Sequence, residues 1–150
     1  MEVLVPLQRL GYRAAYSGLR VYWLLRRPRL SGVKCVLTDG DRVLLVRHTY
    51  GHRGWDLPGG SLKRGEDPET AARREMNEEL GVSIDRWQPL GEFSLTVDHH
   101  RDSVNCFQAE LNAPALKINR GELEAADWFL RERLPRDLGR YARRILAQAG

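Results

Sequence analysis

The sequence contains little cysteine and no long apolar run. Its two cysteines, Cys35 and Cys106, each lie in an apolar, strand-like segment, which favours two buried thiols over a disulfide or a metal pair. The longest apolar run near the N-terminus, residues 21–25, is too short for a membrane span or for the core of a signal peptide. We therefore expect a protein of the reducing cytoplasm.

Acidic residues are nearly missing from the first part of the chain. Residues 1–34 contain seven Arg or Lys residues and one acidic residue, Glu2, which leaves a net charge of about −2 for the remaining 116 residues. The basic residues are not interleaved with a platform of aromatic side chains beyond Trp23, and no RNA-binding module is recognisable. The positive charge is thus a terminal feature, and we expect no nucleic-acid partner.

The overall composition indicates one compact domain with an extension. A chain of 150 residues with 42% hydrophobic residues can bury a core, and it contains no internal repeat or low-complexity linker. Residues 1–30 predict an N-terminal helical extension, although Gly11 and Gly18 weaken the helix. Residues 31–150 predict the domain.

Three roles are open for the extension: a helix on a membrane surface, an arm that binds a partner or forms a homodimer, or a helix packed on the domain. We favour packing as a structural role, because the apolar area of the extension is too large to leave in water. The residues that supply this area are Tyr16, Leu19, Val21, Tyr22, Trp23 and Leu24. We therefore expect no membrane partner.

Apolar alternation predicts the strands of the domain. Residues 33–38 and 42–49 predict a hairpin with its turn at Asp39–Gly40, and residues 89–97 and 103–111 predict two strands around a polar loop at 98–102. A further strand is predicted over 125–130, and a helix over 137–148 closes the chain.

A helix predicted over residues 68–80 carries an unusual acidic cluster. Pro68 suits its first position, and Gly81 ends it. At about 100° per residue, the three glutamates Glu75, Glu78 and Glu79 occupy one arc beside an apolar stripe. Such like charges repel, so we expect a hard divalent cation, Mg²⁺ or Mn²⁺, to compensate them; an ordinary solvated helix is the alternative.

Residues 60–82 resemble the signature of the Nudix hydrolases at every fixed position. The matching residues are Gly60, Glu66, Arg74, Glu75, Met76, Glu78, Glu79, Gly81 and Val82. The segments "VLLVRH", "WDLPGG" and "ADWF" extend the resemblance over residues 32–134. It implies an α/β fold, an α/β/α sandwich with a mixed β-sheet. It also implies that water attacks a phosphorus atom, with the help of a metal, in a nucleoside diphosphate linked to another group.

The resemblance also implies roles for individual residues. Glu75, Glu78 and Glu79 match metal ligands of the family, and Glu75 alternatively orients the nucleophile. Glu66 and Arg74 match residues that hold the loop to the helix. The glycines Gly59 and Gly60 let the backbone approach the metal or a phosphate closely.

The general base is expected outside the acidic helix, since glutamates bound to metal accept protons poorly. Glu122 lies at about the offset where some Nudix enzymes place a further catalytic glutamate. A solvated loop carboxylate is the alternative, and Glu124 is its natural control.

Candidate substrate contacts lie between the second strand and the acidic helix. They are Arg47, His48, Tyr50, Arg53 and Trp55, of which Trp55 could stack on a base; packing or solvation is the alternative for each. The loop from Asp98 to Arg101 predicts a solvated turn and lacks the spacing of a zinc site.

The expected partner is a small-molecule nucleoside diphosphate derivative. Two other functions stay open: a catalytically silent Nudix module that senses nucleotides or binds a partner, and an RNA 5′-end pyrophosphohydrolase. The region of Val97 and Asp98 has neither the Pro that ADP-ribose hydrolases tend to show nor the Tyr of dinucleoside-polyphosphate hydrolases, so the sequence does not name the substrate.

Overall fold

A computed structural model describes residues 4–26, 29–97, 100–112 and 114–149 of the chain. In these ranges it contains three helices and six strands. In chain order they are α1 (Leu4–Arg26), β1 (Arg29–Asp39), β2 (Arg42–His48), β3 (Gly59–Ser61), α2 (Pro68–Leu80), β4 (Gln88–Val97), β5 (His100–Glu110), β6 (Leu123–Leu130) and α3 (Arg140–Gln148).

The six strands form one mixed sheet in the order β4-β5-β1-β2-β6, with β3 paired to β1. The central strand β1 runs parallel to β5, and the other strand pairs are antiparallel. The first hairpin closes at Asp39↔Arg42, so the predicted turn at Asp39–Gly40 is wrong by one residue. Gly40 instead begins the turn, where its φ of 61° suits glycine.

Helices cover both faces of the sheet, so the predicted α/β/α sandwich with an N-terminal helix is confirmed. Because successive residues of a strand face opposite sides, β1 sends Cys35 towards α2 and Val36 towards α3. Cys106 lies in the core on the α3 side, and both thiols are buried and free, as predicted. Burial raises the pKa of Cys106 to about 12 and that of Cys35 well above its ordinary value.

Two predicted boundaries differ from the structure. Strand β5 begins at His100, inside the predicted loop at 98–102, while Asp98 and His99 lie outside the described residues. Helix α3 begins at Arg140 rather than at residue 137. The backbone before it is extended, because Asp137 and Gly139 exchange hydrogen bonds of 3.1 and 2.7 Å with the backbone of Trp55.

An ion pair ties the segment before β3 to the central strand. Lys34 Nζ donates to Asp56 Oδ2 at 2.8 Å and to the carbonyl of Leu57 at 3.1 Å. This places the glycines of β3 against β1.

Among the described helices, none combines the length and the apolar character needed to cross a bilayer.

Candidate active site

Local signals fix both ends of the acidic helix α2. Asp67 caps its N-terminus, because Asp67 Oδ2 accepts a hydrogen bond of 3.1 Å from the amide of Thr70. Gly81 ends the helix in the left-handed region, at a φ of 65°. The helix therefore has its predicted bounds. Its buried apolar side chains rest on the sheet; they are Ala71, Ala72, Met76 and Leu80.

Two of the three glutamates are buried against the glycines of β3. Glu79 is 1% exposed; its Oε2 accepts a hydrogen bond of 3.3 Å from the amide of Gly59, and its Oε1 lies 3.3 Å from His48 Nε2. Glu75 is 8% exposed and lies so close to Gly60 that a Cβ atom there would collide with its carboxyl group. Position 60 therefore requires glycine if Glu75 is to keep this place.

The two buried carboxylates repel each other in a region that water hardly reaches. Burial, and then the charge of Glu79, raise the pKa of Glu75 to about 7. Arg74 opposes this effect, because its Nη1 lies 2.8 Å from Glu75 Oε1. One guanidinium does not balance the cluster, so the site keeps an excess of negative charge that a hard cation would neutralise.

Arg74 also joins the acidic helix to the loop before it. Its Nε and Nη2 donate to the two oxygens of Glu66 at 2.8 and 2.9 Å, and Nη2 donates to the carbonyl of Ser61 at 3.1 Å. The hydrogen bond from Arg74, with one from the amide of Lys63, lowers the pKa of Glu66 to about 2. This two-point geometry is typical of a structural arginine–carboxylate pair.

Glu78 lies at the open rim of the cluster. Its side chain is 47% exposed, and its Oε2 lies 3.2 Å from Arg74 Nη1. In the part of the chain that the structure describes, no three Asp, Glu, His or Cys side chains already stand in a metal-binding arrangement. Because Arg74 contacts both Glu75 and Glu78, a cation would have to draw these two carboxylates away from the guanidinium.

Glu122 lies beside this cluster, in the loop before β6. The amide of Thr49 donates to the Glu122 carbonyl at 2.9 Å, which ties the loop to the end of β2. Burial, and then the charge of Glu79, raise the pKa of Glu122. Glu124 is placed differently, since its half-exposed carboxylate lies 3.6 Å from Arg53 at the surface.

The structure divides the five candidate substrate contacts between the two faces of the sheet. His48 faces α2, whereas its neighbour Arg47 faces the other side, because strand residues alternate. The Arg47 guanidinium lies 4.7 Å from the ring centre of Trp55, which packs on the core beside α3. Arg47 and Trp55 therefore lie across the sheet from the carboxylates.

Tyr50 and Arg53 follow the end of β2. The ring centre of Tyr50 lies 5.7 Å from that of His48, which places Tyr50 beside the carboxylates. Arg53 donates to the carbonyl of Thr49 at 3.0 Å and so supports the loop. Of the five candidates, His48 and Tyr50 adjoin the acidic cluster most directly.

Helix α1 also lies beside Glu122 and Tyr50, a position that its sequence did not predict. Its Tyr12 hydroxyl donates to Glu122 Oε1 at 3.2 Å, and the rings of Tyr12 and Tyr16 lie 5.6 and 5.8 Å from that of Tyr50.

The predicted packing of α1 is thus confirmed for Tyr16. Leu19, Val21 and Tyr22, also expected to pack, are about half exposed; the side chains of Trp23 and Leu24 lie outside those described. One signal was available in the sequence, since Arg9, Tyr12, Arg13 and Tyr16 recur on one helical face.

Comparisons with known proteins agree with this geometry. A family model described as NUDIX domain matches residues 28–149. The chain is 41% identical over 77 residues to an ADP-ribose pyrophosphatase of Mycobacterium tuberculosis, covering 49% of this chain and 37% of that protein. It is 33% identical over 110 residues to the NAD-capped RNA hydrolase NudC of Pseudomonas aeruginosa, covering 72% of this chain and 39% of that protein. The chain thus spans well under half the length of both curated relatives.

A solved structure extends the likeness to the fold of most of the chain. The crystal structure of a MutT NUDIX hydrolase from Burkholderia pseudomallei superposes with a TM-score of 0.76 at 24% identity. The match covers 82% of this chain and 99% of the other.

Proposed function

The chain belongs to the NUDIX family, and on that premise we propose that it hydrolyses a pyrophosphate bond in a nucleoside diphosphate linked to another group. The observation that carries the proposal is the burial of two neighbouring carboxylates, Glu75 and Glu79, against the paired glycines of β3. Burying like charges is costly without a cation. The presence of this buried pair therefore supports a metal-dependent site rather than a silent module.

The residues present fit Mg²⁺ or Mn²⁺, which both prefer oxygen ligands. We propose that Glu75, Glu78 and Glu79 hold the cation. Gly60 was also expected to serve through its backbone, but its carbonyl oxygen lies against Gly32 of β1. We therefore propose that Gly60 serves the site mainly by leaving room for the carboxylate of Glu75.

When bound, such a cation neutralises the pyrophosphate oxygens and lowers the pKa of the attacking water. The water oxygen forms a bond to phosphorus as the anhydride P–O bond breaks, and the phosphate leaves with that bond's electron pair. We propose that Glu122 accepts the proton of the water, because its carboxylate lies outside α2 and within the field of Glu79. His48 and the amide of Gly59 hold Glu79 in place.

The proposal is tested by hydrolysis of a panel of diphosphate compounds. The panel contains nucleotide sugars, ADP-ribose, dinucleoside polyphosphates, nucleoside triphosphates, and capped or triphosphorylated RNA, each with Mg²⁺ or Mn²⁺. We expect turnover of at least one compound, and its complete loss in EDTA. Full activity in metal-free buffer would overturn the mechanism.

Glu79→Gln tests the site itself. The variant keeps the shape of the side chain and removes one charge, so we expect its kcat to fall by about 10²-fold or more, as for other electrostatic stabilisers. Glu132→Gln is the matched control, because Glu132 is exposed on the surface and should keep full turnover. A folded Glu79→Gln variant with unchanged turnover would show that the site lies elsewhere.

A further inference from the structure

Helix α1 has two unlike faces. Arg9, Tyr12, Arg13 and Tyr16 follow one another at the i, i+3, i+4 and i+7 spacing of one helical face. All four side chains of this face contact the domain. The opposite face is apolar and carries Leu7 and Leu10, which are 65% and 63% exposed. Burial of the aliphatic side chains of α1 therefore does not explain the position of the helix.

Two arginines of α1 donate hydrogen bonds to the two loops beside the acidic cluster. Arg13 Nε donates to the carbonyl of Thr49 at 3.0 Å, and Arg9 Nε donates to the carbonyl of Arg120 at 3.1 Å. These loops also bind each other, because the Thr49 hydroxyl donates to the carbonyl of Gly121 at 3.0 Å. The helix thus crosses the junction of the loop that follows His48 and the loop that carries Glu122.

Tyr12 stands at the centre of this junction. Its ring stacks on Tyr50, with ring centres 5.6 Å apart and ring planes 22° apart, and this contact restricts its orientation. From that position its hydroxyl donates to Glu122 Oε1 at 3.2 Å. A glutamate side chain on a loop has several rotamers, and the negative charges of Glu78 and Glu79 favour those that point away from the cluster. A neutral donor on the cluster side counteracts that repulsion.

We propose that Tyr12 is a positioning residue that holds the Glu122 carboxylate beside the acidic cluster, and that α1 is in this way part of the active site. The inference rests on the proposed function, since it takes Glu122 as the proton acceptor. It predicts that the Tyr12 hydroxyl acts only through Glu122.

The test is a double-mutant cycle of Tyr12→Phe and Glu122→Gln. Turnover is measured on the panel compound that the intact chain hydrolyses fastest, with Mg²⁺. Tyr12→Phe removes the hydroxyl and keeps the ring on Tyr50, so we expect kcat to fall about tenfold while KM changes less than twofold. Glu122→Gln alone should lower kcat by about 10²–10⁴-fold, and adding Tyr12→Phe should then change it no further.

Tyr22→Phe is the matched control, because Tyr22 lies on the same helix and is 50% exposed. It should leave kcat, KM and thermal stability unchanged. Amide hydrogen exchange supplies a readout without substrate. Tyr12→Phe should speed exchange in the loop at residues 119–123, while Tyr22→Phe should not.

The outcomes separate the two proposals. If Glu122→Gln lowers kcat and Tyr12→Phe does not, the proposed function stands and the role of Tyr12 is overturned. Additive losses in the double variant would also overturn it, because Tyr12 would then act independently of Glu122. If Glu122→Gln leaves kcat unchanged while Glu79→Gln abolishes it, Glu122 is not the proton acceptor, and the inference falls with that assignment.

Discussion

The buried pair Glu75 and Glu79 shows how different the surroundings of two carboxylates can be within one acidic cluster. Glu79 has hydrogen-bond partners on both carboxylate oxygens, His48 and the amide of Gly59. Glu75 has Arg74 on one side and its repulsive neighbour on the other. Burial and the charge of Glu79 therefore disfavour the ionised form of Glu75.

The raised pKa of Glu75 predicts that the stability of the protein depends on pH when no metal is added. The pKa of Glu75 is about 7 in the folded chain against an ordinary 4.5, so folding favours the protonated form. Its contribution to stability is fully present below about pH 4.5 and is lost as the pH rises through 7. In EDTA at pH 8, Glu75→Gln should therefore raise the free energy of unfolding, on the order of 2 kcal/mol, and at pH 4.5 it should change it little. Urea unfolding at both pH values measures the effect.

Glu78→Gln is the control, because Glu78 lies at the exposed rim and should change stability little at either pH. Adding Mg²⁺ at pH 8 should raise the free energy of unfolding of the unmodified chain more than it raises that of the Glu75→Gln variant. A Glu75→Gln variant that is less stable at pH 8 in EDTA would show that the ion pair with Arg74 outweighs the burial of the charge.

The sequence predicted part of the site because the spacing of residues on a helix is local. A 3.6-residue period places Glu75, Glu78 and Glu79 on one arc whatever the rest of the chain does. It does not predict that Glu79 is buried while Glu78 stays at the rim, since that depends on where β3 lies. Tyr12 was missed because its partner, Glu122, is 110 residues away in the chain.

At the scale of elements, α1 departs most from expectation. An amphipathic helix ordinarily turns its apolar face to the core, and the sequence of α1 predicts that arrangement. The structure turns the polar and aromatic face inward, where the carbonyls of Thr49 and Arg120 accept hydrogen bonds from arginines. Helix α2, by contrast, was predicted to the residue, because its Pro68 and Gly81 signals are local.

Two glycines on the outer face of α1 give a test of its exposure. A Cβ atom added at Gly11 or Gly18 meets nothing within 4 Å. Because glycine weakens a helix interior relative to alanine, Gly18→Ala should stabilise α1 by about 0.5–1 kcal/mol. Slower amide exchange within residues 4–26 would measure this.

Gly54→Ala is the contrasting variant, since a Cβ atom there would collide with the carbonyl of Asp137 and should destabilise the domain. The contrary result would be a Gly18→Ala variant with lower stability or with a changed oligomeric state in solution. Either change would show that a second molecule packs against this face of α1. The outer face of α1 would then be exposed in the single chain but covered in solution.

At the scale of the whole molecule, the resemblance to the Nudix family predicted the layers, whereas the strand order was not predicted. Alternation of apolar residues identifies a strand and its buried face, and it carries no information on which strand lies beside it. The parallel pairing of β1 with β5, and the insertion of β3 beside β1, were therefore not predicted. The insertion of β3 beside β1 brings Gly59 and Gly60 next to the carboxylates of Glu79 and Glu75.

The pairing of β1 with β5 also means that β1 is synthesised well before the strand that pairs with it. The first paired positions, Arg29 and Arg101, are 72 residues apart, so at 5–20 residues per second a ribosome needs roughly 4–14 s to make the second strand after the first. Gly60 and Glu79 are synthesised within that interval, when β1 has one of its two edges open. The residues of the candidate site are thus made seconds before the strand that completes the sheet around them, and a chain interrupted before residue 100 would carry them without a finished sheet.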